Sequence, residues 1–306
     1  MDILDLILVK LAPLYFLILL GFISGKYLQV DKGHVATLVI YIIIPVVFAG
    51  SLWQTELDLT NSTIILVIFL LCLTISIVSY AISSLFYKDN TRNLLASGLP
   101  TGNTGYFGIP IALALFDLQT FGLYVLAAVT NTLYQVSVSY YILAAGAFDW
   151  REAFKKLFSL PPLYGALIGV ALSVTDVPVP QVVTEVTDNF KAALSVLGMM
   201  IIGLAMAGMT RCRFDLTFFS LAMAIRFVIW PVIGISLVFL DQNVFGLLDP
   251  SLHKIILLFS VLPIAADFVI YASNMNLHPQ KAALAVLLST LIAAISIPLA
   301  YVFLLS

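Results

Sequence analysis

The amino-acid sequence predicts an all-helical integral membrane protein. Three observations predict this fold class: the composition, the length of the apolar segments and the position of the basic residues. Of 306 residues, 62% are apolar or aromatic and 10% are charged, and the mean hydropathy is +1.11; soluble domains contain about 25% charged residues. The net charge of -2 does not indicate a nucleic-acid partner, and the two cysteines form no disulfide or metal motif. We therefore expect no metal and no cofactor.

Ten segments have the roughly 20 apolar residues that a helix needs to cross a lipid bilayer. They cover about residues 6–28, 35–53, 62–86, 92–116, 119–148, 160–176, 190–210, 215–240, 251–276 and 279–304. The N-terminus is acidic where a signal peptide needs positive charge, so we expect the first segment to be retained. The sequence thus predicts ten transmembrane helices, which we number as spans 1 to 10.

The basic residues lie mostly in the loops that follow the odd-numbered spans. These loops carry Lys26, Lys32, Lys88, Arg92, Arg151, Lys155, Lys156, Arg211, Arg213 and Lys281, whereas the opposite side has Lys10, Lys191 and Lys254. Lys and Arg accumulate on the cytoplasmic side of a membrane. We therefore expect a multi-pass protein of the inner (plasma) membrane with both termini facing outward.

A hydrophilic stretch, residues 149–159, divides the chain into halves of five spans each. An odd number of spans forces the halves, residues 1–148 and 160–306, into opposite orientations if they share a fold. A Leu-Pro pair recurs at 99–100 in span 4 and at 262–263 in span 9. The sequence thus predicts two inverted five-helix repeats joined by a cytoplasmic loop.

Span 4 contains five helix-breaking residues, namely Pro100, Gly102, Gly105, Gly108 and Pro110. Proline removes a helical hydrogen bond and glycine adds backbone freedom, so this density predicts at least one unwound turn over 100–110 rather than a kink. Unwound backbone persists at membrane depth only where protein surrounds it or where it lines a watery cavity. The break therefore indicates a site for a polar ligand.

Span 9 has a corresponding interruption, where Pro263 is followed by Asp267 in an apolar segment. An ionisable residue inside a span is costly and therefore indicates function. Each break creates helix ends whose free N–H groups attract an anion and whose free carbonyl groups attract a cation. Two inverted breaks that meet at the midplane form one substrate site, as in many secondary transporters.

These features resemble the auxin efflux carrier family, in its bacterial branch: ten spans in inverted halves, the sequence NTGYFGIP at 103–110, and Pro263. The resemblance covers the whole chain. It implies a fold similar to that of bile acid/sodium symporters, with a scaffold from spans 1, 2, 6 and 7 and a moving transport unit from spans 3–5 and 8–10, in which broken helices 4 and 9 cross. It also implies organic-anion substrates, such as auxin in plants and malate or malonate in bacterial relatives, and a homodimer.

Five residues of the first interruption are candidate site residues. Asn103 and Thr104 either contact the substrate or cap a half-helix. Gly102 and Gly105 are expected to allow close approach of the crossing backbone, and Pro110 is expected to start the second half-helix.

Asp267 and Arg226, in span 8, are the charged candidates. Asp267 carries a coupling proton or cation, caps a half-helix or pairs with a cation. Arg226 is expected either to reach towards water or to bind a carboxylate, which is the best partner for a guanidinium at this depth. That carboxylate is either Asp267 or the substrate. Asn131 and Gln135 of span 5 share one helix face and either satisfy freed backbone groups or contact the substrate. Pro263 completes the expected substrate-binding set.

The predicted function is secondary transport of a small organic anion by alternating access, with a proton or a sodium ion as the coupling ion. The alternatives are a sodium-coupled importer and an ion channel, although no ring-forming selectivity motif is visible. An intramembrane protease needs paired aspartates or a Ser/His set in the membrane, and an ATP-driven pump needs a phosphate-binding loop with its Lys. The sequence shows neither, so we expect no enzymatic activity.

Overall fold

A computed structural model describes residues 3–54, 59–159, 161–175, 177–208 and 215–300. Within these ranges the regular structure is helical, apart from one isolated antiparallel bridge between Gly102 and Ile264. The helices are α1 (Ile3–Tyr27), α2 (Lys32–Trp53), α3 (Leu59–Phe86), α4 (Thr91–Gly98), α5 (Ile109–Leu115), α6 (118–144), α7 (Trp150–Phe158), α8 (Pro161–Ser173), α9 (Gln181–Ala207), α10 (Leu216–Phe245), α11 (Pro250–Val261), α12 (Asp267–Asn274) and α13 (Pro279–Ala300). The predicted all-helical class is confirmed.

Six helices in the described ranges are long and apolar enough to cross a membrane, judged by length and composition: α2, α3, α6, α9, α10 and α13. α8 and α11 are shorter apolar helices. The chain leaves its helical path at residues 99–103, between α4 and the turn before α5, and at residues 262–266, between α11 and α12. We call these segments the first break and the second break. The count of ten spans in inverted repeats stays a prediction.

Aspartate side chains begin several helices. Asp31 accepts the His34 N–H at 2.9 Å before α2. The same cap precedes α6, α10 and α11, at Asp117, Asp215 and Asp249. Asp149 accepts the Glu152 N–H at 2.8 Å, so the stretch predicted as a loop at 149–159 contains a helix, α7. A carboxylate at this position satisfies an N–H group that the first helical turn leaves free.

Small residues let α1 pack closely on α9, and α8 on α2. A Cβ atom on Gly203 of α9 would lie 1.9 Å from the Ile18 carbonyl oxygen of α1, and one on Gly165 of α8 would lie 2.4 Å from the Pro45 carbonyl oxygen of α2. Close backbone contacts of this kind are typical of membrane helix interfaces. α2 also packs on α9; α3, α4 and α6 pack together; and α13 packs on α11 and α12.

Large apolar side chains cover much of the outer surface of the molecule. Residues more than half exposed include Phe16, Leu66, Ile77, Val232 and Phe239, which lie on α1, α3 and α10. Soluble monomers rarely expose large contiguous apolar patches. Lipid tails cover such a surface in a bilayer, in agreement with the predicted membrane class.

An ionic cluster joins the end of α3 to the starts of α4, α10 and α13. It consists of Tyr87, Asn90, Asp215, His278 and Lys281, and we call it the Asp215 cluster. The Asp215 carboxylate accepts the Tyr87 hydroxyl at 2.9 Å and lies 2.8 Å from the Lys281 Nζ. His278 Nε2 lies 3.1 Å from Asn90 Oδ1. The cluster therefore ties the half-helix before the first break to the segment that follows α12.

Candidate functional site

The two breaks cross and bond to each other. The Asn103 N–H donates to the Pro263 carbonyl at 2.8 Å, and the Ala265 N–H donates to the Thr101 carbonyl at 3.2 Å. These bonds form the isolated antiparallel bridge, in which each break satisfies backbone groups of the other. The expectation that the two interruptions meet is confirmed.

One buried guanidinium, that of Arg226 on α10, binds the carbonyl ends of both α4 and α11. Its Nε donates to the Leu262 carbonyl at 2.7 Å, its Nη2 to the Phe259 carbonyl at 2.8 Å and its Nη1 to the Leu99 carbonyl at 3.2 Å. A cation suits this position because the C-terminal end of a helix carries a partial negative charge. Arg226 is fully buried, and three charge-assisted hydrogen bonds offset the loss of its water shell.

The expected ion pair between Arg226 and Asp267 is therefore absent from the described structure, and that alternative is wrong. In the described part of the chain no ion pair joins Arg226 to Asp267, and one oxygen of that carboxylate is buried without a partner. Carbonyl groups freed by the two breaks supply the acceptors instead. Trp230, one turn further along α10, supports the arrangement, because its Nε1 donates to the Pro100 carbonyl at 3.0 Å and its ring centroid lies 5.4 Å from the guanidinium carbon.

Gly102 allows the guanidinium to reach the breaks. A Cβ atom at this position would lie 2.7 Å from the Arg226 Nη2 and 3.2 Å from the Leu262 Cβ, closer than side chains normally pack. The same expectation for Gly105 is wrong, because a Cβ atom there would meet no atom within 4 Å. Gly105 borders open space instead.

Helical structure resumes after the first break in a widened turn, Thr104–Gly108, that leads into α5. The Asn103 carbonyl accepts the Gly108 N–H at 2.9 Å, and the Asn103 Oδ1 accepts the Phe107 N–H at 3.3 Å. Asn103 therefore caps this half-helix. Pro110 lies near the start of α5, but the helical path already resumes at Thr104, so Pro110 does not start the second half-helix as predicted. The unwound stretch is shorter than the sequence predicts, because the cap and the i to i+5 bonding rebuild the helix before Pro110.

The polar face of α6 satisfies groups of the first break. Asn131 Nδ2 donates to the Gly102 carbonyl at 3.2 Å and lies 3.4 Å from the Thr104 Oγ1. Gln135 Nε2 donates to the Thr101 Oγ1 at 3.3 Å. Asn131 and Gln135 therefore support the first break, which is one of the two roles expected for this face.

A cavity of 590 Å³ lies against both breaks, and this volume is typical of small-molecule pockets. Its polar and charged lining residues are Ser51, Gln54, Asn103, Thr104, Asn131, Thr132, Gln135, Lys191 and Asp267. Gly102 and Gly105 line it as well. The described lining residues do not include Pro263 or Arg226, and the side chain of Pro110 lies outside the described structure.

Two cavity-lining side chains have polar atoms that are available to a ligand. Asn103 uses its Oδ1 in the helix cap, so its Nδ2 is the group that can donate to a ligand. The Asp267 Oδ1 is buried and has no partner in the described part of the chain. Buried polar groups are normally hydrogen-bonded, so unsatisfied ones beside a cavity indicate a ligand.

Lys191 is a cavity residue that the sequence analysis did not identify as part of the site. The predicted span 7 begins at residue 190, which places Lys191 at the membrane surface, but α9 begins at Gln181 and Lys191 lies in its third turn. The Lys191 Nζ is 3.3 Å from the Asp188 Oδ1. Pro180, directly before α9, is the sequence signal for this start, because proline is tolerated at a helix start and not in its interior.

The family model of membrane transport proteins matches residues 6–154 and 149–301, nearly the whole chain. An uncharacterized transporter from Methanocaldococcus jannaschii is 23% identical over 252 residues, which make up 78% of this chain and 78% of the relative. Together with the apolar helices, these matches define a multi-pass membrane transporter. The chain belongs to the membrane transport protein family, which confirms the resemblance to auxin efflux carriers. This is a family of transporters and not of enzymes.

Proposed function

We propose that the protein is a secondary transporter of small organic anions and that the cavity beside the two breaks is its substrate site. The observation that carries the proposal is the set of donors around this cavity. The helical segments after the first and second breaks both begin at the cavity, and the N-terminal end of a helix attracts an anion. The Nδ2 of Asn103 adds a neutral donor, and the ammonium of Lys191, which also contacts Asp188, adds a charged one.

Ten spans in two inverted halves are part of the proposal. The two family matches meet at residues 149–154, within the stretch that divides the chain into five spans on each side. Both breaks also follow a helix that ends at a Leu-Pro pair, 99–100 and 262–263. The close packing of α1, α2, α8 and α9 supports a scaffold, against which the helices that carry the breaks move in alternating access.

We further propose that the cavity opens to the outside of the plasma membrane. Its lining includes Gln54, directly after α2, and Lys191, in the first half of α9. These positions lie towards the helix ends opposite to the basic loops, which the distribution of Lys and Arg assigns to the cytoplasm. Both chain termini then face outward.

Uptake into liposomes tests the proposal. Purified protein is reconstituted, and uptake of radiolabelled malate, malonate and indole acetate is compared with uptake by empty liposomes. Asn103→Asp keeps an oxygen for the Phe107 N–H and therefore the cap, but it adds a negative charge to the cavity wall. At about 5 Å and an effective dielectric constant of about 20, the repulsion of an anion is about 3 kcal/mol. We expect the variant to transport at least tenfold more slowly.

Asn243→Asp is the matched control, because Asn243 is exposed on α10 and does not line the cavity. We expect it to transport at the parental rate. The proposal fails if the parental protein takes up none of the three anions faster than empty liposomes do. It also fails if Asn103→Asp transports as fast as the control.

A further inference from the structure

Asp267 is an acid in the cavity wall without a visible partner. It is the first residue of α12, and it lines the cavity. Its Oδ1 is buried and accepts no hydrogen bond in the described part of the chain. A buried carboxylate that is ionised and unpaired is strongly unfavourable, so such a group is neutralised or binds a cation.

The charged groups around Asp267 do not neutralise it. The ionisable side chains on α12 and on the helices packed against it are Lys32, His34 and Tyr41 of α2, Arg92 of α4, Glu185, Asp188 and Lys191 of α9, Tyr271 of α12 and Lys281 of α13. Among these described residues, only Lys191 lines the cavity with Asp267, and it already has a carboxylate partner, Asp188. Lys281 is bound in the Asp215 cluster.

Arg226 and Tyr140 do not balance the charge of Asp267 either. All three nitrogen atoms of the Arg226 guanidinium donate to carbonyl groups at the ends of α4 and α11. Tyr140 of α6 packs edge-on against Tyr271, with ring centroids 5.4 Å apart, and a phenol is neutral at physiological pH. No cation in the described structure is therefore placed to balance Asp267.

A proton needs fewer ligands at this position than a metal cation. A metal cation is held by several ligands, usually including more than one carboxylate or carbonyl oxygen. The described residues contain no group of three or more His, Cys, Asp or Glu side chains that could hold a metal ion. A proton needs only one carboxylate oxygen, and it removes the negative charge that would repel an anion in the same cavity.

We propose that Asp267 binds one proton that crosses the membrane together with the organic anion. This inference rests on the proposed function. The carboxylate takes up the proton from the side to which the cavity opens, becomes a neutral acid, and so permits the anion to bind beside it. On the other side both ligands leave, and the carboxylate is regenerated; no other bond forms or breaks.

The experiment uses liposomes that contain the reconstituted protein and the pH-sensitive dye pyranine. An inward malate gradient is expected to acidify the lumen, and an inward proton gradient of one pH unit is expected to raise malate accumulation by up to about tenfold. Asp267→Asn has no ionisable carboxyl group. We expect it to exchange malate for malate while losing both the acidification and the response to the proton gradient.

Glu185→Gln is the matched control, since Glu185 is an exposed acid on α9 that bonds to Gln181 and does not line the cavity. It is expected to behave like the parental protein. Acidification by Asp267→Asn at the parental rate overturns the inference. Malate accumulation driven by a sodium gradient in the absence of a proton gradient also overturns it.

A second measurement needs no substrate and therefore separates failure of this inference from failure of the proposed function. The thermal unfolding of the parental protein and of Asp267→Asn is followed in detergent between pH 5 and pH 8. If Asp267 holds a proton in the folded protein that the unfolded chain has released, the parental Tm falls with rising pH by several degrees more than that of the variant. Parallel Tm curves contradict the proton site, whether or not malate is transported.

Discussion

The first and the second break share a preceding Leu-Pro pair and the contact with Arg226, and they differ in their backbone conformation and their side chains. Each follows a half-helix that ends at a Leu-Pro pair, and each gives carbonyl groups to Arg226. On the cavity side, the first break presents the amide of Asn103, whereas the second break leads into the carboxylate of Asp267. The first is supported by the polar face of α6, while the Asp267 Oδ1 has no partner in the described structure.

This difference is consistent with the two roles proposed above for the two breaks. The carbonyl ends of α4 and α11 both bind Arg226. The helical segments that follow the breaks differ at their N-terminal ends: the first begins with the neutral side chain of Asn103, and the second, α12, begins with the acid Asp267. Under the proposed function, the two breaks thus supply a site for an anion and a site for a proton next to each other.

The largest effect on stability is expected from Arg226→Leu, which removes the guanidinium that binds carbonyl groups of both breaks. The substitution leaves three buried carbonyl groups without their donor, and unsatisfied buried groups of this kind cost about 1–3 kcal/mol each. We expect a loss of about 3–5 kcal/mol of unfolding free energy, measured by denaturation in mixed detergent micelles.

Lys88→Ala is the control for loss of a cation, since Lys88 is exposed and donates to the Ser84 carbonyl one turn earlier. Its expected change is within about 0.5 kcal/mol. Arg226→Lys should lie between the two, because one ammonium group cannot reach three carbonyl groups as a planar guanidinium does. An Arg226→Leu protein as stable as the Lys88→Ala protein would contradict the role of Arg226.

A smaller effect is expected from Gly102→Ala, which disturbs the first break alone. The added Cβ would lie 2.7 Å from the Arg226 Nη2, so the guanidinium has to shift, and overpacking of this kind costs about 1–3 kcal/mol. Gly105→Ala is the matched control, because its Cβ meets nothing within 4 Å. We expect no loss of unfolding free energy for Gly105→Ala in the same denaturation assay. Equal losses for both variants would show that the contact with Arg226 is not what requires glycine at 102.

The sequence indicated the breaks and their supporting helix face more reliably than it indicated the charged contacts. Proline and glycine act through local backbone geometry, so their density in span 4 marked the first break, and the spacing of Asn131 and Gln135 marked the face that packs on it. The partners of Arg226 could not be predicted in this way. Backbone carbonyl groups have no sequence signature, and those that bind Arg226 become free only because two distant segments unwind.

Lys191 shows a second limit of sequence reasoning. Hydropathy located the apolar part of α9 and missed its polar first turns, so a cavity residue was placed at the membrane surface. The length of the first break has a similar explanation. Composition indicated an unwound segment up to Pro110, whereas the Asn103 cap, which is a tertiary detail of one side chain, restores the helix from Thr104 onwards.

The smallest effect is expected at the Asp215 cluster, and its pH dependence distinguishes this acid from Asp267. Burial alone would raise the pKa of Asp215, but hydrogen bonds from Lys281, the Phe218 N–H and Tyr87, with the charge of Lys281, hold the pKa below its usual value. The stabilisation is therefore present above the unfolded pKa of about 3.9 and is lost as the pH falls through the lower pKa of the folded state.

Asp215→Asn keeps an oxygen for the α10 cap and loses the ion pair with Lys281. Because both side chains are about a quarter exposed (27% and 26%), we expect a loss of only about 1 kcal/mol at pH 7, again by denaturation in mixed micelles. The difference from the parental protein should shrink below about pH 4, where the Asp215 carboxylate becomes protonated. A difference that stays as large at about pH 3 as at pH 7 would contradict the ion pair with Lys281.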